Sequence, residues 1–263
     1  MIRKIHQLAK TDDLKDFELK SRDLLKRHNP EHEYTLWTDE KLWEIVSENH
    51  EELKNHWNEL KGIHKSDLGR YLVLYIHGGF YCDTDFYVSG SFDSLSLKEK
   101  IYFSPSTPDF ILMNPGVTNY FIYTPRGETF FLDLIDEGLK RIKKYKNTDA
   151  SYISSTSGKI MIDSVIKQKK HEISSFSDKQ IVNKYCPQTD VSKSFAYHDG
   201  GTSRTKKEDS WVNGTVLGLI SLECNLRQKT FVRGNICQVP VVFIFLVFIL
   251  IGVGVWGFRR LRR

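Results

Sequence analysis

The chain has 263 residues, room for one substantial domain and an appendage. Hydrophobic residues at 40% and charged residues at 27% exclude a disordered or low-complexity chain. The net charge of +5 arises from 38 bases interleaved with 33 acids, and the basic clusters at 141–146 and 167–170 adjoin amphipathic segments, so they read as solvated helix faces and no nucleic-acid partner is expected.

From the N-terminus, residues 2–8 are strand-like and start directly after Met1, with no charged-then-apolar leader, so no signal peptide is expected. Residues 16–28 form a polar helix with Phe17, Leu24 and Leu25 as its apolar positions, broken by Asn29-Pro30. A second strand follows at 34–37, and Thr38 or Asp39 caps the next helix. Trp37 and Trp43 are expected in the core.

Residues 66–87, SDLGRYLVLYIHGGFYCDTDFY, carry the most information. Ser66 is placed to cap a helix. Leu68, Leu72 and Tyr75 fall on one helical face, and Asp67 and Arg70, three apart, share another. Gly78 and Gly79 end the helix, because glycine enters left-handed conformations without steric cost. Phe80, Tyr81 and Cys82 suit a short buried strand, and Asp83 and Asp85 leave its carboxyl end. Strand and helix patterns alternate through Tyr81, which indicates an α/β sheet with ligand at the strand carboxyl ends.

Beyond, residues 86–92 lead away, 101–104 and 110–113 are strands, and 127–144 form an amphipathic helix with Phe131, Leu134, Ile135 and Leu139 on one side. Residues 156–159, Thr-Ser-Gly-Lys, lack the earlier glycine of a phosphate loop, since Ile153 stands there. A helix is expected at 159–169, late strands at 181–185 and 194–198, and a helix at 218–230. Residues 239–258 carry no charge and are apolar on every side, long enough to span a bilayer core of about 30 Å. Trp256 suits the interface, and Arg259, Arg260, Arg262 and Arg263 follow. The expected organisation is a domain at 1–215, a connecting segment at 216–238, a transmembrane helix at 239–258 and a basic tail at 259–263. The tail favours a cytosolic C-terminus by the positive-inside tendency, whereas a span so near the C-terminus reads equally as a tail anchor; Asn213-Gly214-Thr215 is a glycosylation sequon, meaningful only in a secretory lumen. The four cysteines, Cys82, Cys186, Cys224 and Cys237, form no CxxC, which argues against zinc and redox motifs.

Two carboxylates at a strand's carboxyl end can share one hard divalent cation, Mn²⁺ or Mg²⁺, with a diphosphate. An EF-hand is excluded, since Val88 and Ser94 occupy its glycine and glutamate positions.

With Asp67, Arg70, Tyr71, Leu74, Tyr75, Gly78, Gly79, Tyr81, Asp83 and Asp85 in order, the stretch closely resembles the DXD-containing sugar-binding region of a glycosyltransferase family. The opening IRKIHQLAKTDDL resembles that family's first strand at His6, Gln7 and residues 10–13, although Ala9 stands where the family has tryptophan. The resemblance implies a GT-A-like nucleotide-sugar domain, a mixed sheet flanked by helices, with retention of anomeric configuration. It implies Asp83 and Asp85 as metal ligands, joined by His198, and Asp67 and Arg70 as catalytic groups that hold the donor sugar. His6, Gln7, Asn119, Ser210 and Trp211 are implied substrate contacts. The nearest branch is that of the inositol phosphoceramide mannosyltransferases, which implies GDP-mannose, a lipid acceptor, and an endomembrane or Golgi location with a single C-terminal anchor. A UDP-hexose transferase acting on a glycan or protein, and a membrane-tethered sugar-binding module without turnover, are the alternatives.

Overall fold

The computed structural model describes residues 1–105, 116–145, 150–176, 181–183 and 195–198, all in the unit Met1–Val212. The predicted strand at 110–113, the helices at 218–230 and 239–258, the basic tail, the sequon and Cys186, Cys224 and Cys237 lie outside those residues. Among the described residues, no helix is long and apolar enough to cross a membrane.

Strand β1 (Lys4–Leu8) is followed by helix α1 (Asp16–His28), whose acids stand in the first turn and bases in the last, complementing its dipole. Strand β2 (Glu33–Trp37) leads into α2 (Asp39–Asn49), capped by Thr38, whose Oγ1 accepts the Lys41 N–H at 3.3 Å. After α3 (Glu51–His56) comes α4 (Gly62–His77), which delivers the chain to β3 (Gly79–Cys82) and β4 (Phe86–Val88). Then follow β5 (Ile101–Pro105), β6 (Val117–Thr124), α5 (Phe130–Lys144), α6 (Ala150–Thr156), α7 (Lys159–Lys169), β7 (Ile173–Ser175), β8 (Ile181–Asn183) and β9 (Ala196–His198).

Six strands form a mixed sheet in the order β2-β1-β3-β6-β5-β7, with β1 parallel to β2 and β3, and β6 antiparallel to β3 and β5. A small second sheet has the order β4-β9-β8. Side chains alternate across the main sheet with period two. Tyr81 and Ile122 join the core built with α4 and α5, including Leu68, Tyr71, Phe131 and Leu134. Phe80, Phe121 and Tyr123 point the other way, into an aromatic core with Phe86, Phe92 and Leu25 of α1. Helices therefore cover both faces, as expected of an α/β sheet.

Two local expectations are corrected. Helix α4 begins at Gly62, so Ser66 is interior, and its carbonyl accepts the Arg70 Nε–H at 3.3 Å. The extra turn is held by tertiary contact: buried His64 bonds Thr156 at 3.1 Å. Trp43 is 37% exposed, with its ring 6.3 Å from that of Trp57, whereas Trp37 is half-buried against the core. The glycine turn is as expected: Gly78 has φ +62° and Gly79 φ +91°, and a Cβ on Gly79 would stand 2.7 Å from the Lys4 carbonyl of β1.

Candidate active site

The aspartate loop leaves β3 in the middle of the main sheet and is pinned on three sides. The Asp83 N–H donates to the Tyr120 carbonyl of β6 at 2.9 Å, and the Phe86 N–H returns to the Asp83 carbonyl at 3.1 Å, closing a turn. From β1, the Gln7 Nε2 amide donates to that same carbonyl at 3.1 Å and to Ser21 Oγ of α1 at 3.1 Å. The Tyr34 hydroxyl occupies Gln7 Oε1 at 2.8 Å, so both ends of this fully buried amide are engaged. Thr84 between the aspartates donates to Glu18 Oε1 of α1 at 3.2 Å.

Beneath the loop lies Arg70. Its Nη1 donates to Asp83 Oδ1 and to the Asn119 carbonyl, both at 2.9 Å, its Nη2 stands 3.1 Å from Asp67 Oδ1, and its guanidinium lies 4.5 Å from the centre of the Tyr81 ring. The Tyr81 hydroxyl also donates to Asp83 Oδ1, at 2.7 Å. Burial pushes the Tyr81 phenol well above its ordinary range, which keeps it a donor. Burial alone would lower the Arg70 guanidinium, but Tyr81, Asp83 and Asp67 outweigh it and the cation persists.

The Asp67 carboxylate is buried and met by several donors. Asn119 Nδ2 donates to its Oδ1 at 3.0 Å, and Ser157 Oγ to its Oδ2 at 2.6 Å. Burial raises the Asp67 carboxyl, opposed by the Arg70 cation and by the Ser157 and Asn119 bonds. Tyr71 completes the network, donating to the Ser157 carbonyl at 2.7 Å and accepting from Asn119 Nδ2 at 3.0 Å. Asp85 follows Thr84 in the turn and is 9% exposed.

The structure thus brings Asp67, Arg70, Asn119 and Asp83 into one network, with Gln7 holding the loop from behind. His6 stands apart from it: its Nδ1 accepts from Trp37 Nε1 at 3.2 Å, so Nε2 carries the proton and donates to the Gly78 carbonyl at 2.9 Å. Burial lowers its pKa to about 4, leaving a neutral core histidine. His198 pairs with Phe86 across β4 and β9, next in register to the aspartate turn. Ser210 and Trp211 lie outside the described residues. Tyr71, Tyr81 and Ser157 are members that residue patterns did not single out for a role in the site. The tyrosines lie in the stretch 66–87, and Ser157 in the Thr-Ser-Gly-Lys segment at 156–159.

Among the described residues, no three His, Cys, Asp or Glu side chains group as a ready-made metal site. The donor set still fits a hard cation, because Mg²⁺-type ions take one or two carboxylates and complete their shell from substrate phosphates and water.

Residues 16–102 match the family model described as "Glycosyltransferase sugar-binding region containing DXD motif". Among curated proteins, the mannosyl phosphorylinositol ceramide synthase SUR1 of Saccharomyces cerevisiae is 28% identical over 63% of this chain and 42% of its own length. Inositol phosphoceramide mannosyltransferase 1 of Schizosaccharomyces pombe is 30% identical over 47% of this chain and 39% of its length. The chain therefore spans less than half the length of these relatives. Two solved structures share the fold. The PaToxG glycosyltransferase has a TM-score of 0.50 at 16% identity, over 64% of this chain and 69% of that one. The glycosyltransferase GlyE of Streptococcus pneumoniae has a TM-score of 0.50 at 15% identity, over 84% and 60%.

Proposed function

We propose that this chain is a metal-dependent, retaining glycosyltransferase that moves a hexose, mannose from GDP-mannose, onto an inositol-phosphate-bearing lipid. The observation that supports it most is the pair Asp83 and Asp85 leaving the central strand, with Asp83 held by Arg70 and Tyr81 inside a matched sugar-binding region.

In such a transfer the bond between the anomeric carbon and the diphosphate breaks, the diphosphate gains negative charge, and the sugar becomes oxocarbenium-like. When bound, Mn²⁺ or Mg²⁺ supplies Lewis acidity at the leaving group. Asp83 and Asp85 are the residues that would hold it, with Asp85 the more direct ligand and His198 a further candidate. Arg70 fixes the orientation of Asp83 through an Nη1 bond of 2.9 Å. Gln7 acts through the Asp83 carbonyl, which keeps the turn from drifting. Asp67 and Asn119 face the donor sugar, the carboxylate accepting from its hydroxyls. The apolar segment at 239–258 anchors the domain and confines it near a lipid acceptor.

A donor screen with manganese, using GDP-mannose and UDP-hexoses, tests this. The expected result is hydrolysis or transfer from GDP-mannose, lost by at least about a hundredfold in Asp85→Ala. Turnover from UDP-hexoses alone would redirect the donor assignment, and binding without turnover would favour a sugar-binding module.

A further inference from the structure

The segment at 156–159 is fastened to α4 at three places. His64 Nε2 donates to Thr156 Oγ1 at 3.1 Å, while that hydroxyl donates to the Tyr152 carbonyl at 2.7 Å. Ser157 Oγ donates to Asp67 Oδ2 at 2.6 Å, and the Tyr71 hydroxyl to the Ser157 carbonyl at 2.7 Å. His64, Asp67 and Tyr71 share one face of α4, at the spacing i, i+3, i+7. The turn between α6 and α7 is thus read directly by the helix that carries the site's ion pair.

The Ser157 bond is in the short range of a charge-assisted O–H to carboxylate contact. Asp67 Oδ1 is taken up by Arg70 and Asn119. Ser157 is the donor to Oδ2 among the described residues, and it is fully buried. A carboxylate offers about four acceptor positions. Three are filled here, and the Asp67 side chain is 8% exposed.

We propose that Ser157 is a positioning residue for the sugar half of the donor: by fixing the rotation of the Asp67 carboxylate, it aims the remaining acceptor position of Oδ2 at a hydroxyl of the transferred hexose. This rests on the glycosyltransferase reading above. Ser157 touches no substrate itself. On that reading the diphosphate half would be held elsewhere, through the cation on Asp83 and Asp85, so the two halves of the donor should respond differently to its loss.

Calorimetric titration of the full chain with manganese present, using GDP-mannose against GDP and UDP-glucose against UDP, reads that difference. Ser157→Ala should weaken the nucleotide sugar about tenfold and leave the nucleoside diphosphate within about twofold. Ser157→Cys keeps the volume with a weaker donor, so it should fall in between and serves as the readout should the alanine variant lose its fold. In an Asp67→Asn background, Ser157→Ala should add less than about twofold, since both changes remove one interaction. Equal weakening of both ligands, no weakening of either, or additive effects in the double variant would overturn the assignment. If the unmodified chain binds nucleotide sugars and nucleoside diphosphates not at all, the glycosyltransferase reading falls and this one with it; if it binds them and Ser157→Ala matches it, only this one falls.

Discussion

Replacing Arg70 by methionine keeps much of the side-chain volume and removes the cation. Asp67 Oδ1 then loses a charge 3.1 Å away, and Asp83 Oδ1 a donor at 2.9 Å. The Arg70 and Asp67 side chains are 9% and 8% exposed, so the first pair is buried; Asp83, at 27%, is partly screened by solvent and contributes less. Stranding one charge of a buried pair costs ~3–5 kcal/mol. Ser157 and Asn119 still donate to Asp67, which places the cost near the lower end, at about 3 kcal/mol. In a domain of this size that lowers Tm by roughly 6–12 °C. Urea denaturation should show a reduced midpoint at unchanged slope. Asp67→Asn combined with Arg70→Met removes the stranded charge as well, and should recover about half of the loss. An Arg70→Met chain within about 0.5 kcal/mol of the unmodified one, or a double variant as unstable as the sum of its parts, would refute the claim that this network is held by one cation.

The pH dependence follows from His6, whose folded pKa of about 4 lies below the ordinary 6.5 because of burial. Between those values the unfolded chain takes up a proton that the folded one excludes, so its contribution is complete above about pH 6.5 and falls on acidification, by about 2 kcal/mol at pH 5. Urea titrations near neutrality and near pH 5 should therefore diverge less in His6→Gln, and equal divergence would contradict the assignment. Gln7→Leu strands the Tyr34 hydroxyl and removes one of the two donors to the Asp83 carbonyl. It should cost about 2 kcal/mol and lower manganese-dependent turnover by at least about tenfold; full turnover in that variant would show that the loop holds its shape without β1.

Much of the element order was legible because short-range rules carried it. Helix α7 begins and ends where the pattern placed it, at Lys159–Lys169, and Thr38 caps α2 as its position suggested. Helix α5 starts three residues after the Gly127 that the apolar pattern suggests, since Gly127 adopts φ +81° and the first helical residue is Phe130. Ser66 misled for a different reason: the turn before it is polar and carries Gly62, and what makes it helical is a distant contact between His64 and Thr156. The same distinction runs through the site. Asp67 and Arg70 could be paired from their spacing alone, but the reach of Arg70 to Asp83 and Asn119 depends on β3 and β6 lying side by side. A buried serine donating to a carboxylate leaves no periodic trace, and Ser157 was out of reach of any local rule.

Strand β4 leaves the aspartate loop and finds its ladder partner only at β9, Phe86 opposite His198. A nascent chain therefore exposes an unpaired strand beside the aspartate turn until a segment far downstream has emerged. Closing so long a loop is entropically slow to be rewarded, and a bare strand invites pairing with other chains. Biosynthesis would then be vulnerable at one defined interval, and products of premature termination upstream of β9 should be prone to aggregate even with the large sheet complete.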